Sequence, residues 1–231
     1  MNLSNPGRFR RQVAGVAMIA LAVVLVLAEL LHARFEMEAA DQIAAVAENT
    51  DRWYAAHVLV LTALALAVPA FMGLAHLLRR SRPTLGHVSL VVFVPGLVAL
   101  AAAAGMEFVL WQMAQPAANR DEMVALGERL NESAGIVPLF AAVLLFPLAW
   151  LLVGIGLYLA RAVPVYAAVL VAVSQPIGFA GELSGGPKVL AVGAQVAFAI
   201  GIVTIGLGVL RQTDEEWERS SSTPDAMSAA V

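Results

Sequence analysis

Cysteine is absent from this chain of 231 residues. That removes disulfides, thiolate zinc sites, iron–sulfur clusters and cysteine nucleophiles from consideration. Charge is scarce too: 13% of the residues are charged and the formal net charge is −3, against about 25% charged in ordinary soluble domains. The arginines are dispersed and form no basic patch with interleaved aromatics, so nothing marks a nucleic-acid partner. No lysine falls in the middle of an apolar run, which excludes a retinal Schiff base. No HExxH, GxSxG or P-loop pattern occurs, so no motif fixes a reaction.

What is abundant is apolar surface. A hydrophobic fraction of 60% exceeds the roughly 45–50% of soluble domains, and a water-soluble fold of this length could not hide it. Six stretches approach the ~20 residues that span a bilayer's hydrocarbon. They run Val13 to Ala33, His57 to Leu78, His87 to Met113, Gly135 to Ala160, Val163 to Ala180, and Val189 to Leu210. They are apolar on every face, without the period-two alternation of a barrel. The expected fold is all-α: a six-helix integral membrane bundle over residues 13–211, with a short N-terminus at 1–12. From Gln212 to residue 231 the chain turns polar and reads as a disordered tail. The first stretch exceeds the roughly 7–15 residues of a signal-peptide core and carries Glu29 and His32, so it reads as a retained anchor. The fifth is short and reads as broken by Pro176.

Loop charge gives direction. Arg8, Arg10 and Arg11, then Arg79, Arg80 and Arg82, then Arg161 and Arg211 fall on one side. Glu36, Glu38, Asp41, Glu48 and Asp51, with Asp121, Glu122, Glu128 and Glu132, fall on the other. The positive-inside rule then places both termini in the cytoplasm, in a plasma (inner) membrane. On the outer side, Met37, Ala40, Ala44 and Ala47 recur at helical spacing, as do Met123, Leu126 and Leu130, and suggest short surface helices. Small residues allow close helix approach in lipid. Such stripes are Gly193, Ala197 and Gly201, followed by Thr204 and Gly208, and Gly96, Ala99 and Ala103 on a face that runs on to Glu107. Gly73 to Pro83 and Gly154 to Pro164 echo one another, with Pro95 and Pro176 at the same offset.

Charges inside spans are costly, by about 2.5–3.5 kcal/mol at a helix centre, so those that persist are candidates for function. Two carboxylates qualify, Glu29 and Glu107, and no Lys or Arg lies deep enough to pair with either. His32 shares a face with Glu29, His57 opens the second span, and Gln112, Gln175 and Gln195 fall at a similar depth. The polar groups therefore gather in the outer half, as an outward-facing pocket for a small ligand or cation requires. Glu29, Glu107, Gln112, Gln175 and Gln195 are its candidate ligand-binding residues. Glu29, His32, His57 and Glu107 would be the set for a divalent metal. A carboxyl that holds a proton would make a relay instead. Three other readings stay open: an intramembrane metal-dependent enzyme, an accessory subunit or homo-oligomer in a larger membrane complex, and interfacial residues that are merely solvated. In the last, Trp53, Tyr54 and Trp111 form an outer aromatic belt, and Tyr158 and Trp217 lie near the inner face. Haem would need a His pair such as His32 with His57, or His76 with His87.

The Arg10–Arg11 start, the Trp53-to-His57 entry to span two, Glu107 to Gln112, and the Leu130-to-Gly135 entry to span four carry a resemblance. Together they resemble small six-span membrane proteins from high-GC, actinobacterial-type genomes. The resemblance implies no activity.

Overall fold

The computed structural model describes residues 5–33, 36 and 38–219. Ten helices occur among the described residues: α1 (Pro6–Leu31), α2 (Ala39–Glu48), α3 (Thr50–Leu78), α4 (Pro83–Met113), α5 (Arg120–Asn131), α6 (Ile136–Val143), α7 (Leu145–Ala160), α8 (Val165–Leu183), α9 (Lys188–Arg211) and α10 (Asp214–Arg219). The six expected spans are α1, α3, α4, α6 with α7, α8 and α9. In each, fewer than half of the residues in the most apolar window are buried inside the protein, so the remaining apolar surface faces outward, as lipid-exposed helices require.

Helix starts follow local chemistry. Asn5 caps α1 by accepting from the Arg8 N–H at 3.1 Å, with Pro6 in the first turn. Asn49 does the same for α3 through the Arg52 N–H at 3.0 Å. Helix α1 begins at Pro6, ahead of the apolar run, and draws Arg8, Arg10 and Arg11 into its first turns. Helix α8 continues through Pro176, where a break was expected. The break falls instead in the fourth span. Pro147 has no N–H to offer the carbonyl of Val143 and its ring crowds that carbonyl, so α6 ends there and α7 begins at Leu145.

Each span packs against its neighbours in sequence, and α1 packs against α9, so the six form a closed ring. One end of the ring carries both termini; the other carries α2 and α5. A small residue brings backbones together at every seam: Gly73 against Ala14, Gly15 against Gly206, Gly201 against Ala167, Gly154 against Ala172, Gly96 against Phe146, and Gly86 against Leu78. Two seams are especially tight. A methyl group at Gly96 would lie 2.7 Å from the carbonyl carbon of Leu145, and one at Gly154 would lie 2.7 Å from the backbone nitrogen of Ala172. The expected stripe on the last span is only partly used. Gly201 packs, whereas a methyl group at Gly193 or Gly208 would meet nothing within 4 Å, and the contact with α1 is made by Gly206.

Aromatic rings fill the middle of the ring. Phe71 stacks on Phe93 with centroids 4.1 Å apart, and Trp150 meets Phe71 at 5.1 Å and Phe198 at 4.9 Å, both edge-on. Phe71, Trp150 and Phe198 are fully buried. Below them the terminal end is sealed by α10, in the segment expected to be disordered from Gln212. Trp217 supplies the reason. It is buried, stacks on His76 at 4.1 Å, and offers its carbonyl to Arg79 at 3.0 Å. Arg11 grips the same segment, donating to the Leu210 carbonyl at 2.8 Å and to Asp214 at 3.1 Å. Residues 220–231, the rest of the expected tail, lie outside the described residues.

The two surface helices pack on each other, and α2 also packs on α4. The buried face of α2 is Ala39, Gln42, Ile43 and Val46, one step round from the expected Ala40, Ala44 and Ala47. Bulky branched side chains bury more area than alanines and set the face. Met37 lies outside the described residues. Ile43 and Val46 join Trp53 and Met113 in a second core, against which Met123 and Leu126 pack. Trp53, expected in an aromatic belt, is thus buried.

Replacing Gly96 by alanine is expected to force α4 away from the start of α7 at a cost of about 1–3 kcal/mol. Thermal unfolding in detergent should show a lowered midpoint. The same change at Gly105, where a methyl meets nothing within 4 Å, should leave the midpoint in place.

Candidate functional site

Above the aromatic layer the ring does not fill. A cavity of about 570 Å³ opens there, within the ~300–1,000 Å³ range of small-molecule sites. All six spans contribute to its wall. Trp150 and Phe146 form its floor, and its acidic rim consists of Glu29, Glu107 and Glu182. On α1 the lining runs from Leu21 to Glu29, a depth of roughly 12 Å at about 1.5 Å per residue. Between floor and rim the wall is aliphatic and aromatic apart from Gln175 and Gln195. Neither α2 nor α5 contributes to it.

Glu107 stands on α4 beside Ala103 and Ala104, whose small side chains leave the space in front of it. Its Oε2 is buried and has no hydrogen-bond partner. Its backbone is held by Trp53, whose indole N–H donates to the Glu107 carbonyl at 3.2 Å. A second orphan lies at the floor, where the buried Trp150 Nε1 also lacks a partner. Unsatisfied polar atoms are uncommon in folded interiors and call for an explanation. Here both belong to residues that line one cavity.

Glu29 is arranged differently. It was expected to lack a cationic partner, but Lys188, the first residue of α9 and the chain's single lysine, donates to its carboxylate. Sequence reasoning missed both Lys188 and Glu182 because it ended the fifth span at Ala180 and began the sixth at Val189. The signal was Gly185, which takes φ 65 just past the end of α8. A glycine in that left-handed position marks a helix end and so keeps Glu182 inside the last turn. A lysine at a helix N-terminus opposes the helix dipole, which itself asks for an acidic neighbour.

The polar residues on α8 and α9 also meet at the wall. Gln175, buried next to Pro176, donates from Nε2 to Oε1 of Gln195 at 3.1 Å. His32 lines the cavity, and its Nδ1 donates to the Ala33 carbonyl at 2.6 Å. His57 does not line it. His57 is buried in a ring cluster, 4.5 Å from Trp53 and 5.0 Å from His32 by centroid, and its Nδ1 donates to the Trp53 carbonyl at 2.9 Å. Gln112 is exposed and away from the lining.

Of the candidate ligand-binding residues, then, Glu29, Glu107, Gln175 and Gln195 share one cavity and Gln112 does not. The candidate metal set of Glu29, His32, His57 and Glu107 is not drawn together: among the described residues no group of three or more His, Asp or Glu is placed to hold an ion. The reason is visible in the partners, since Glu29 is engaged by Lys188 and His57 is turned into the ring cluster.

Removing Lys188 should leave Glu29 as an uncompensated charge in a poorly solvated position. Lys188→Met is expected to destabilise the bundle by about 1–3 kcal/mol, between the values for exposed and fully buried pairs. Adding Glu29→Gln should recover part of that loss. A double-mutant cycle on thermal unfolding measures the coupling, and purely additive effects would count against the pair. In comparisons with known proteins, no family model, no curated protein and no solved structure matches this chain.

Proposed function

We propose that this multi-pass membrane protein binds a small organic cation in the cavity above its aromatic layer. The observation that carries the reading is Glu107, a carboxylate with one oxygen buried and unpartnered on the wall of a ligand-sized cavity. Charge balance points the same way. The rim holds three acidic side chains, and the one lysine beside it is engaged by Glu29. A cation brought to Glu107 would relieve a cost that the protein alone leaves standing. The volume suits a multi-atom ligand better than a bare ion, and the aliphatic wall suits organic substituents.

In this reading both termini are cytoplasmic in a plasma membrane. Arg8, Arg10, Arg11, Arg79, Arg80, Arg82, Arg161 and Arg211 all belong to the end that carries the termini, while the acidic α2 and α5 belong to the other. The cavity then faces outward, and the aromatic layer and α10 separate it from the cytoplasm. That arrangement matches one side of an alternating-access cycle, but the cavity accounts equally for a receptor that holds its ligand.

The protein reconstituted in nanodiscs should bind tetramethylammonium in calorimetric titration. Glu107→Gln should weaken that binding at least tenfold, equivalent to about 1.4 kcal/mol, while Gln112→Ala leaves it unchanged. Equal binding by wild type and Glu107→Gln, or none by either, would remove the site from this role.

A further inference from the structure

The six seams of the ring are not alike in the half that surrounds the cavity. Five are tied there. Helices α8 and α9 are joined by the Gln175–Gln195 hydrogen bond and by Gly181 lying against Leu190. Helices α9 and α1 are joined by Lys188 and Glu29. Arg52 of α3 donates to the terminal carbonyls of α1, at 2.7 Å to Leu31 and 3.0 Å to Leu30. Trp53 of α3 donates to α4, and α4 packs along α6. The sixth seam lies between α6 and α8. Helix α7, the other half of the same span, packs along α8, but α6 packs on α4 and α7 and makes no extended contact with α8.

The Pro147 break thus parts the fourth span from the fifth at the level of the cavity. Side chains on both sides of this gap line the cavity and are also open to the surroundings: Val137 is 66% exposed, Phe140 46%, and Leu183 of α8 46%. All three belong to helices that are long and apolar enough to lie in the hydrocarbon zone. An opening there, at the outer ends of two spans, is turned toward the bilayer.

We propose that the ligand is a single-chain amphiphile with a cationic head, and that it enters from the bilayer sideways between α6 and α8. This rests on the cation-binding reading and extends it. The head sits at the acidic rim against Glu107, and the chain lies along the aliphatic wall toward Trp150. The depth of roughly 12 Å accommodates an extended chain of about ten carbons, since zigzag carbon–carbon bonds near 1.5 Å advance roughly 1.25 Å each. A chain already dissolved in lipid gains little by moving between apolar surroundings, so selection comes from the head group. The rim provides that selection through its charge.

The test uses two probes with one head group, tetramethylammonium and decyltrimethylammonium. The natural absence of cysteine allows Val137→Cys and Leu183→Cys to be introduced together and joined by a reducible thiol-specific linker, closing the gap in nanodiscs. Compared with the same variant before joining, joining should slow decyltrimethylammonium uptake at least tenfold without a matching loss of tetramethylammonium affinity, and reduction should reverse the slowing. A second readout avoids the linker: a decyl probe with bromine at its chain end should quench tryptophan fluorescence, and Trp150→Phe should remove most of that quenching. Uptake of the decyl probe at full rate by the joined protein, with tetramethylammonium still bound, overturns the sideways route and leaves the cation site standing. Quenching that survives Trp150→Phe overturns the placement of the chain. Failure of tetramethylammonium to bind even the unjoined protein overturns the cation site and this inference together.

Discussion

Lipid tails are as apolar as leucine, so helices in a bilayer gain little from covering one another's aliphatic side chains. What holds this ring is backbone proximity, a great many small dispersion contacts made possible where a side chain is absent. Every seam has such a point, from Gly73 on Ala14 round to Gly86 on Leu78. These points lie from the middle of the bundle toward the end that carries the termini. Toward the other end the backbones are tied by longer-range polar bonds through Arg52, Trp53, Gln175 and Lys188. Polar side chains reach farther than touching backbones, and the cavity lies at that end. The cavity is the volume that this difference leaves.

The same division explains the two kinds of carboxylate. Glu29 meets a cation supplied by the protein and serves the ring. Glu107 has a supported backbone and an unsupported Oε2. A protein that needed only stability would do better with an apolar residue at that position.

The spans were legible because their signal is large: long apolar runs leave helix as the only state that satisfies the backbone in hydrocarbon. The depth of Glu29, Glu107, Gln175 and Gln195 followed from counting residues along those helices. Other features depended on what hydropathy does not measure. Glu182 and Lys188 were lost because a polar residue at a helix end lowers the local hydropathy and draws the boundary inward. The helix at Asp214–Arg219 was lost because its anchors are long-range contacts that hydropathy does not register: Trp217 docks on His76, and Asp214 and Glu218 pair with Arg11 and Arg10. The spread of the candidate metal set is a matter of direction. Spacing puts Glu29, His32 and His57 at one level, but the way His57 is turned is set by Trp53 and His32 packing around it.

Contact between the first and last spans also constrains biosynthesis. Neighbours in sequence can pair as hairpins while the chain is still being inserted, but the seam between α1 and α9 joins residues as far as 199 positions apart. It forms only after the sixth span has entered the bilayer. Until then α1 presents Gly15 and Glu29 without their partners, and the wall of the cavity is missing one helix. The closed cavity is therefore a property of the finished ring alone, and Arg11 reaching across to Leu210 and Asp214 acts as the clasp on its last seam.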